Sequence, residues 1–177
     1  MTCIIGLIDN GAVYMGADSA AGSDWNVIPT TQPKVFRVGT LLIGYTTSFR
    51  MGQLLQYKLA LPEHHEEKSI EEFIMSDFLE SVRTCLKKGG FSSIKDSREE
   101  GGTFLIGYRE RLFRVNDDYG ITESSYGFDA CGCGENFALG AMKALDHLKP
   151  PERILKALEI AACFSSNVMP PFHTLEI

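Results

Sequence analysis

A chain of 177 residues, 44 % of them hydrophobic, has the length of one domain, 1–177, and enough apolar side chains for a packed core. No apolar run approaches the ~20 residues a membrane helix needs, and a net charge of −6 without a Lys/Arg cluster speaks against a nucleic-acid binder. Five cysteines form an odd set; with no charged and apolar leader at the start they read as free thiols of a cytoplasmic protein.

The chain opens Met1-Thr2, followed by an apolar run over residues 3–8, a turn at Asp9-Asn10-Gly11 and a second run over 12–17 that ends on Asp18-Ser19. The Asn-Gly pair between two apolar runs predicts a β-hairpin. Residues 20–32 are rich in Gly, Ser, Thr and Pro and read as a loop. Strands are expected over 34–38 and 41–45, around Gly39-Thr40. A helix follows over 49–59, with Ser48 as N-cap and Pro62 past its end. Residues 61–68 form a polar connection, with His64-His65 on a solvated surface. Ser69 and Glu72 make a capping-box pattern. Ile70, Phe73, Ile74, Phe78, Val82 and Leu86 then share one helical face up to Gly89-Gly90. Residues 91–102, charged and Gly/Ser-rich, read as a mobile loop.

Residues 103–108 and 111–115 predict another hairpin, turning at Arg109-Glu110, and 128–131 a short strand. Gly132-Cys133-Gly134 opens a helix whose inner face is Phe137, Ala138, Ala141, Met142 and Leu145. Pro150-Pro151 starts the next helix, which buries Ile154, Leu155, Leu158 and Ala161. A last strand ends the chain. Strands, two helices, strands, two helices and a closing strand fit two stacked, mainly antiparallel sheets covered by helices, a four-layer α/β/β/α sandwich of the α+β class.

The chemistry concentrates at the amino end. Aminopeptidases remove an initiator Met before a small side chain such as Thr2. Thr2 would then carry a free α-amine, titrating near ~7.7–8.0, beside its own hydroxyl, which that amine can deprotonate. Alone, Asp18 reads as a turn residue and Lys34 as a strand-edge charge. Spaced by sixteen residues and sixteen more from Thr2, the three read as a set.

These residues, with Asp18 in Gly16-Ala17-Asp18-Ser19, resemble the Thr–Asp–Lys set of proteasome β-type subunits, which are N-terminal-nucleophile hydrolases. The end of the chain, Pro171-Phe172-His173-Thr174-Leu175-Glu176, is similar to the last strand of the peptidase subunit of the bacterial ATP-dependent two-component protease. The resemblance implies the same four-layer fold and a threonine endopeptidase acting on unfolded polypeptides or peptides. Thr2 would be the nucleophile, Lys34 the stabiliser of its alkoxide, and Asp18 the carboxylate that keeps Lys34 charged. Gly44 takes the position whose N–H receives the oxyanion, although on its residues alone it reads equally as a strand-end glycine. Ala21, Gly22, Leu42 and Thr46 fall at substrate-binding positions.

Departures from the resemblance matter too. Cys133 in Gly132-Cys133-Gly134 replaces a serine beside the amine, Ser166 falls on a serine, and Cys163 stands where an aspartate is common. The resemblance further implies a homo-oligomeric ring, single or doubled, with room for an ATPase unfoldase partner. It implies no metal and no organic cofactor, and Cys131, Cys133 and Cys163 lack zinc-site spacing. Two other readings stay open: a non-peptidase amidohydrolase with the same nucleophile, and a weak or inactive ring component, which Cys163 favours.

Overall fold

In the computed structural model, β1 (Cys3–Asp9) and β2 (Ala12–Ala17) form the expected hairpin. Asn10 and Gly11 at its tip both have positive φ, 49° and 80°, the turn whose twist matches its strands. The structure describes residues 2–23 and 26–177; the expected removal of Met1 therefore falls outside the described residues. The segment expected to be a loop contains instead a small hairpin, β3 (Ala20–Ser23) and β4 (Asn26–Pro29). Glycine and proline masked its pairing in the sequence.

Next come β5 (Val35–Val38) and β6 (Leu41–Tyr45), then α1 (Phe49–Tyr57), capped by Ser48, whose hydroxyl accepts from the Arg50 N–H. Ser69 caps the following helix by accepting from the Glu72 N–H. That helix begins as α2 (Ile70–Glu72), loosens into a π-helical stretch (Phe73–Phe78) and continues as α3 (Leu79–Lys88). Residues expected to be mobile pair as β7 (Ser93–Lys95) and β8 (Arg98–Glu100), with Asp96 and Ser97 in the left-handed region at their turn. Then follow β9 (Phe104–Tyr108), β10 (Arg111–Val115), β11 (Ile121–Glu123), β12 (Phe128–Gly132), α4 (Glu135–Ala144), α5 (Glu152–Phe164) and β13 (His173–Glu176).

The strands form a four-stranded sheet in the order β12-β1-β2-β13 and a five-stranded sheet in the order β11-β10-β9-β6-β5. Their printed pairings are all antiparallel. Strand alternation divides the apolar side chains among three clusters. Cys3, Ile5 and Leu7 of β1 point towards α4 and α5, where Met142, Ile154 and Leu158 meet them. Ile4, between them, points the other way and packs with Met15, Val35, Leu42 and Leu105 between the two sheets. On the far side of the second sheet, Ile43, Phe104 and Phe113 pack with Leu55 of α1, Phe78 of the π-helical stretch and Leu86 of α3.

Three side chains depart from the sequence expectation. Phe137, assigned to the inner face of α4, is 40 % exposed. On α5, Leu155 is only half-buried, and Ala157 takes the inner position. His64, expected on a solvated surface, is half-buried: its ring stacks on Phe73 at 4.4 Å, with Nδ1 2.8 Å from the Tyr108 hydroxyl and Nε2 2.9 Å from the Lys68 carbonyl. It ties the connection after α1 to β9. No helix among the described residues is long and apolar enough to cross a membrane.

Candidate active site

Thr2 stands just before β1, and pairing on both sides fixes it. Cys3 is opposite Gly132 of β12, and Ile4 is opposite Ala17 of β2. Gly132 has φ +102°, and a side chain there would put its Cβ 2.2 Å from the Thr2 carbonyl oxygen. Only glycine can end β12 so close to Thr2. The chain then turns through Cys133 into α4, which brings a thiol to the amine position. The Thr2 nitrogen donates to Cys133 Sγ at 3.2 Å, and the thiol donates to the Thr2 carbonyl at 3.3 Å.

Asp18, at the end of β2, is fully buried and uses both carboxylate oxygens. Oδ1 accepts from the Cys3 N–H at 2.8 Å and from Lys34 Nζ at 2.9 Å; Oδ2 accepts from the Ala20 N–H at 2.8 Å. One carboxylate thus joins the backbone beside Thr2, the backbone entering β3 and the lysine before β5. Lys34 is only 1 % exposed. Burial pulls its pKa below the ordinary lysine value, while attraction and the hydrogen bond from Asp18 push the other way. The thiol of Cys3 is raised, by burial first and by Asp18 second, so it stays neutral beside the ion pair.

Removing one partner of a buried ion pair leaves an uncompensated charge, at a cost of about 3–5 kcal/mol. Asp18→Ala should therefore lower stability by about that amount, read as a lower urea midpoint at unchanged slope. A loss under 1 kcal/mol would show that the carboxylate holds neither backbone nor lysine.

A cleft of about 100 Å³ opens at Thr2, walled by Ala20, Ala21, Gly22 and Lys34 on one side and by residues 45–49 on the other. Ala21, Gly22 and Thr46, expected at substrate-binding positions, line this cleft. Leu42 and Gly44 do not. Leu42 is fully buried between the sheets. Gly44 is paired within β6 to both Val35 and Leu105, and a Cβ there would sit 2.5 Å from Ile4 and from Met15. Its glycine serves the close approach of the two sheets, away from the cleft.

The backbone at the cleft rim is Thr47, a residue the sequence reading missed. It has φ +61°, costly for a β-branched side chain. The surroundings hold it there: Thr46 N–H and its hydroxyl both donate to the Thr103 carbonyl, at 3.1 and 2.8 Å, and the Thr103 N–H donates to Thr47 Oγ1 at 3.1 Å. No backbone carbonyl among the described residues accepts from the Thr47 N–H. A positive-φ rim residue is a signal that dihedrals carry and composition does not.

Ser166 is exposed, and its neighbour Ser165 is the one whose hydroxyl reaches Cys133 Sγ, at 3.7 Å. Cys163, on the last turn of α5, is exposed. No group of three or more His, Cys, Asp or Glu among the described residues is placed to hold a metal ion.

No family model and no curated protein sequence matches the chain. Solved structures do. BPH from Thiobacillus denitrificans, in complex with epoxomicin, superposes with a TM-score of 0.82 at 21 % identity, covering 99 % of this chain and 98 % of that one. Eukaryotic HslV from Trypanosoma brucei gives 0.68 at 17 % identity, with 99 % and 98 % covered. Anbu, an ancestral β-subunit from Yersinia bercovieri, gives 0.68 at 13 % identity, with 99 % and 81 % covered. This chain has the proteasome β-type fold. At these identities the likeness is one of fold, and it spans the whole chain. Within the proteasome β-type fold, Thr2, Asp18 and Lys34 meet at one end of the hairpin formed by β1 and β2. Cys133 joins them from β12, and Thr47 from the end of β6.

Proposed function

We propose that this protein is a threonine-type peptidase in one domain, 1–177, working by acyl transfer through Thr2 once Met1 is removed. The observation that carries the reading is the convergence of Thr2, buried Lys34 and buried Asp18 on a cleft that Thr2 lines. The α-amine of Thr2 takes the hydroxyl proton as its oxygen attacks a peptide carbonyl. The Lys34 ammonium offsets the charge on that oxygen where water is scarce and Coulomb attraction is strong. The Thr47 N–H, in place of Gly44, is the donor we assign to the tetrahedral oxyanion; such a donor is worth about 2.7–4 kcal/mol elsewhere. The leaving amine takes the proton back, and water, activated by the same amine, releases the acyl group. Cys133 holds the amine through a thiol, a weaker partner than a hydroxyl, which points to slow turnover.

The packing of three apolar clusters around two sheets supports the four-layer α/β/β/α sandwich. The kinship of fold with HslV and a β-subunit supports a homo-oligomeric ring, single or doubled, enclosing Thr2 in the cytoplasm and admitting unfolded segments, with an ATPase unfoldase as a partner to look for. Light scattering is the check: a monomer of about 20 kDa that cleaves small amides and no peptides would favour the amidohydrolase.

The direct test uses epoxomicin, present in the complex with the Thiobacillus protein. Mature protein should gain the inhibitor's mass and lose peptide cleavage, and Thr2→Ala protein should show neither the added mass nor any cleavage to inhibit. Labelling of Thr2→Ala would overturn the assignment.

A pH prediction follows from two groups. The amine must be neutral, so the rate should rise through about pH 8. Lys34 must be charged, and burial lowers its pKa, so the rate should fall again below the ordinary lysine value of 10.5. Initial rates from pH 6 to 11 should trace a bell, and a flat alkaline limb up to pH 10.5 would exclude Lys34.

A further inference from the structure

Phe137 and Phe164 stack with ring centroids 5.4 Å apart and an interplanar angle of 27°, yet they are 40 % and 68 % exposed. Two large aromatic rings side by side in water make an apolar patch of the kind that marks a binding surface. Their place in the chain says what they face. Phe137 lies in the first turn of α4, which Cys133 and Gly134 open. Phe164 ends α5 and is followed by Ser165, whose hydroxyl reaches Cys133 Sγ. Cys133 in turn holds the Thr2 nitrogen at 3.2 Å. Neither phenylalanine lines the cleft beside Thr2. The chain connection thus sets the stack next to the residues that hold the Thr2 nitrogen.

Peptide hydrolysis makes the two sides unequal. The acyl half of the substrate becomes esterified to Thr2 Oγ and stays in the cleft. The C–N bond breaks as the α-amine returns its proton to the departing nitrogen, so the leaving half must begin beside that amine. Cys133 is the side chain that holds the Thr2 nitrogen. An extended chain advances about 3.3–3.6 Å per residue, so its first three residues cover roughly 10 Å.

We propose that the Phe137–Phe164 stack is a subsite for an aromatic or branched aliphatic side chain among the first three residues on the leaving-group side of the scissile bond. The inference rests on the peptidase reading. A third ring extends the stack in the offset geometry that aromatic groups favour, and a Gly or Ser strand gains nothing from it.

The test compares quenched peptides that share one acyl half and differ in the leaving half: Phe at the first, second or third position, or Gly and Ser throughout. The best Phe peptide should exceed the Gly/Ser peptide in kcat/KM about tenfold, the order of one good aromatic contact. In Phe137→Ser/Phe164→Ser protein that ratio should fall towards one. A second measurement on unaltered mature protein guards against a misfolded variant: peptides with a free amino terminus and Phe in the favoured position should inhibit as products about tenfold more strongly than their Gly counterparts. Equal rates and equal inhibition across the set would overturn the subsite while leaving the peptidase reading intact. Absence of any peptide cleavage by mature protein would overturn both. An oligomer that the double substitution dissociates, with the ratio unchanged, would assign the stack to a subunit contact and defeat the proposal.

Discussion

Thr2→Ala should abolish peptide cleavage and leave the fold in place. The substitution keeps the α-amine and deletes the only oxygen that can carry the acyl group. The residue is 5 % exposed and precedes β1, so losing one hydroxyl and one methyl group costs about 1–2 kcal/mol at most. The amine alone cannot form the ester, so the rate should fall to background, at least 10³-fold. Rates should be compared on one quenched peptide, with circular dichroism and a urea melt as controls for folding. Cleavage at more than 1 % of the wild-type rate by clean Thr2→Ala protein would move the nucleophile elsewhere, and Cys133, 3.2 Å from the Thr2 nitrogen, would be the first candidate.

Lys34→Met is the second large effect, because it separates charge from volume. Methionine fills most of the space of a buried lysine stem, so little cavity remains. What disappears is the ammonium that pairs with Asp18 at 2.9 Å and that, in the proposed mechanism, offsets the Thr2 alkoxide. Activity should fall by about 10²–10³, the scale of losing one preorganised electrostatic group. Stability should fall by about 3 kcal/mol, because Asp18 is left buried with only two backbone donors. Asp18→Asn/Lys34→Met should recover part of the stability and none of the activity. That split distinguishes a lysine acting on the nucleophile from one that only neutralises a carboxylate. The sign with pH agrees: since burial lowers the Lys34 pKa, the cost of holding its ammonium is fully present below the folded-state pKa and vanishes as pH rises past 10.5. The wild type should therefore gain stability relative to Lys34→Met across that alkaline window, as its activity falls.

The grouping of Thr2, Asp18 and Lys34 came from the family resemblance, and strand geometry shows why such spacing brings them together. A hairpin with Asn10-Gly11 at its tip returns residue 18 to the level of residue 3, next to Thr2, and Lys34 reaches the same carboxylate from just before β5. The cleft was less legible. Gly44 between apolar residues looks the same whether its missing side chain admits a substrate or a neighbouring sheet, and the Ile4 and Met15 contacts decide for the sheet. Thr47 carries no sign of φ +61° in its identity. The pairing of β3 with β4, and of β7 with β8, was hidden by Gly, Pro and charge, which mark turns more strongly than short strands. Phe137 falls on the apolar stripe of α4 by period alone, yet the stripe is wider than the sheet beneath it, and its outermost ring stays in solvent beside Phe164. The π-helical stretch over Phe73–Phe78 has no sequence signature of its own.

The enclosure of Thr2 between β2 and β12 also sets a clock. Its thiol partner lies 131 residues further along the chain. A ribosome adds about 5–20 residues each second, so Thr2 leaves the ribosome roughly 7–26 s before the strand that seals it exists, and a two-stranded hairpin is too weak to close the site alone. The proposed removal of Met1 would belong to that interval. An aminopeptidase working on the nascent chain meets an open end, whereas one added to the finished protein meets a Thr2 that is only 5 % exposed. For the proposed peptidase, the active fraction should then follow the pace of translation, before folding is complete.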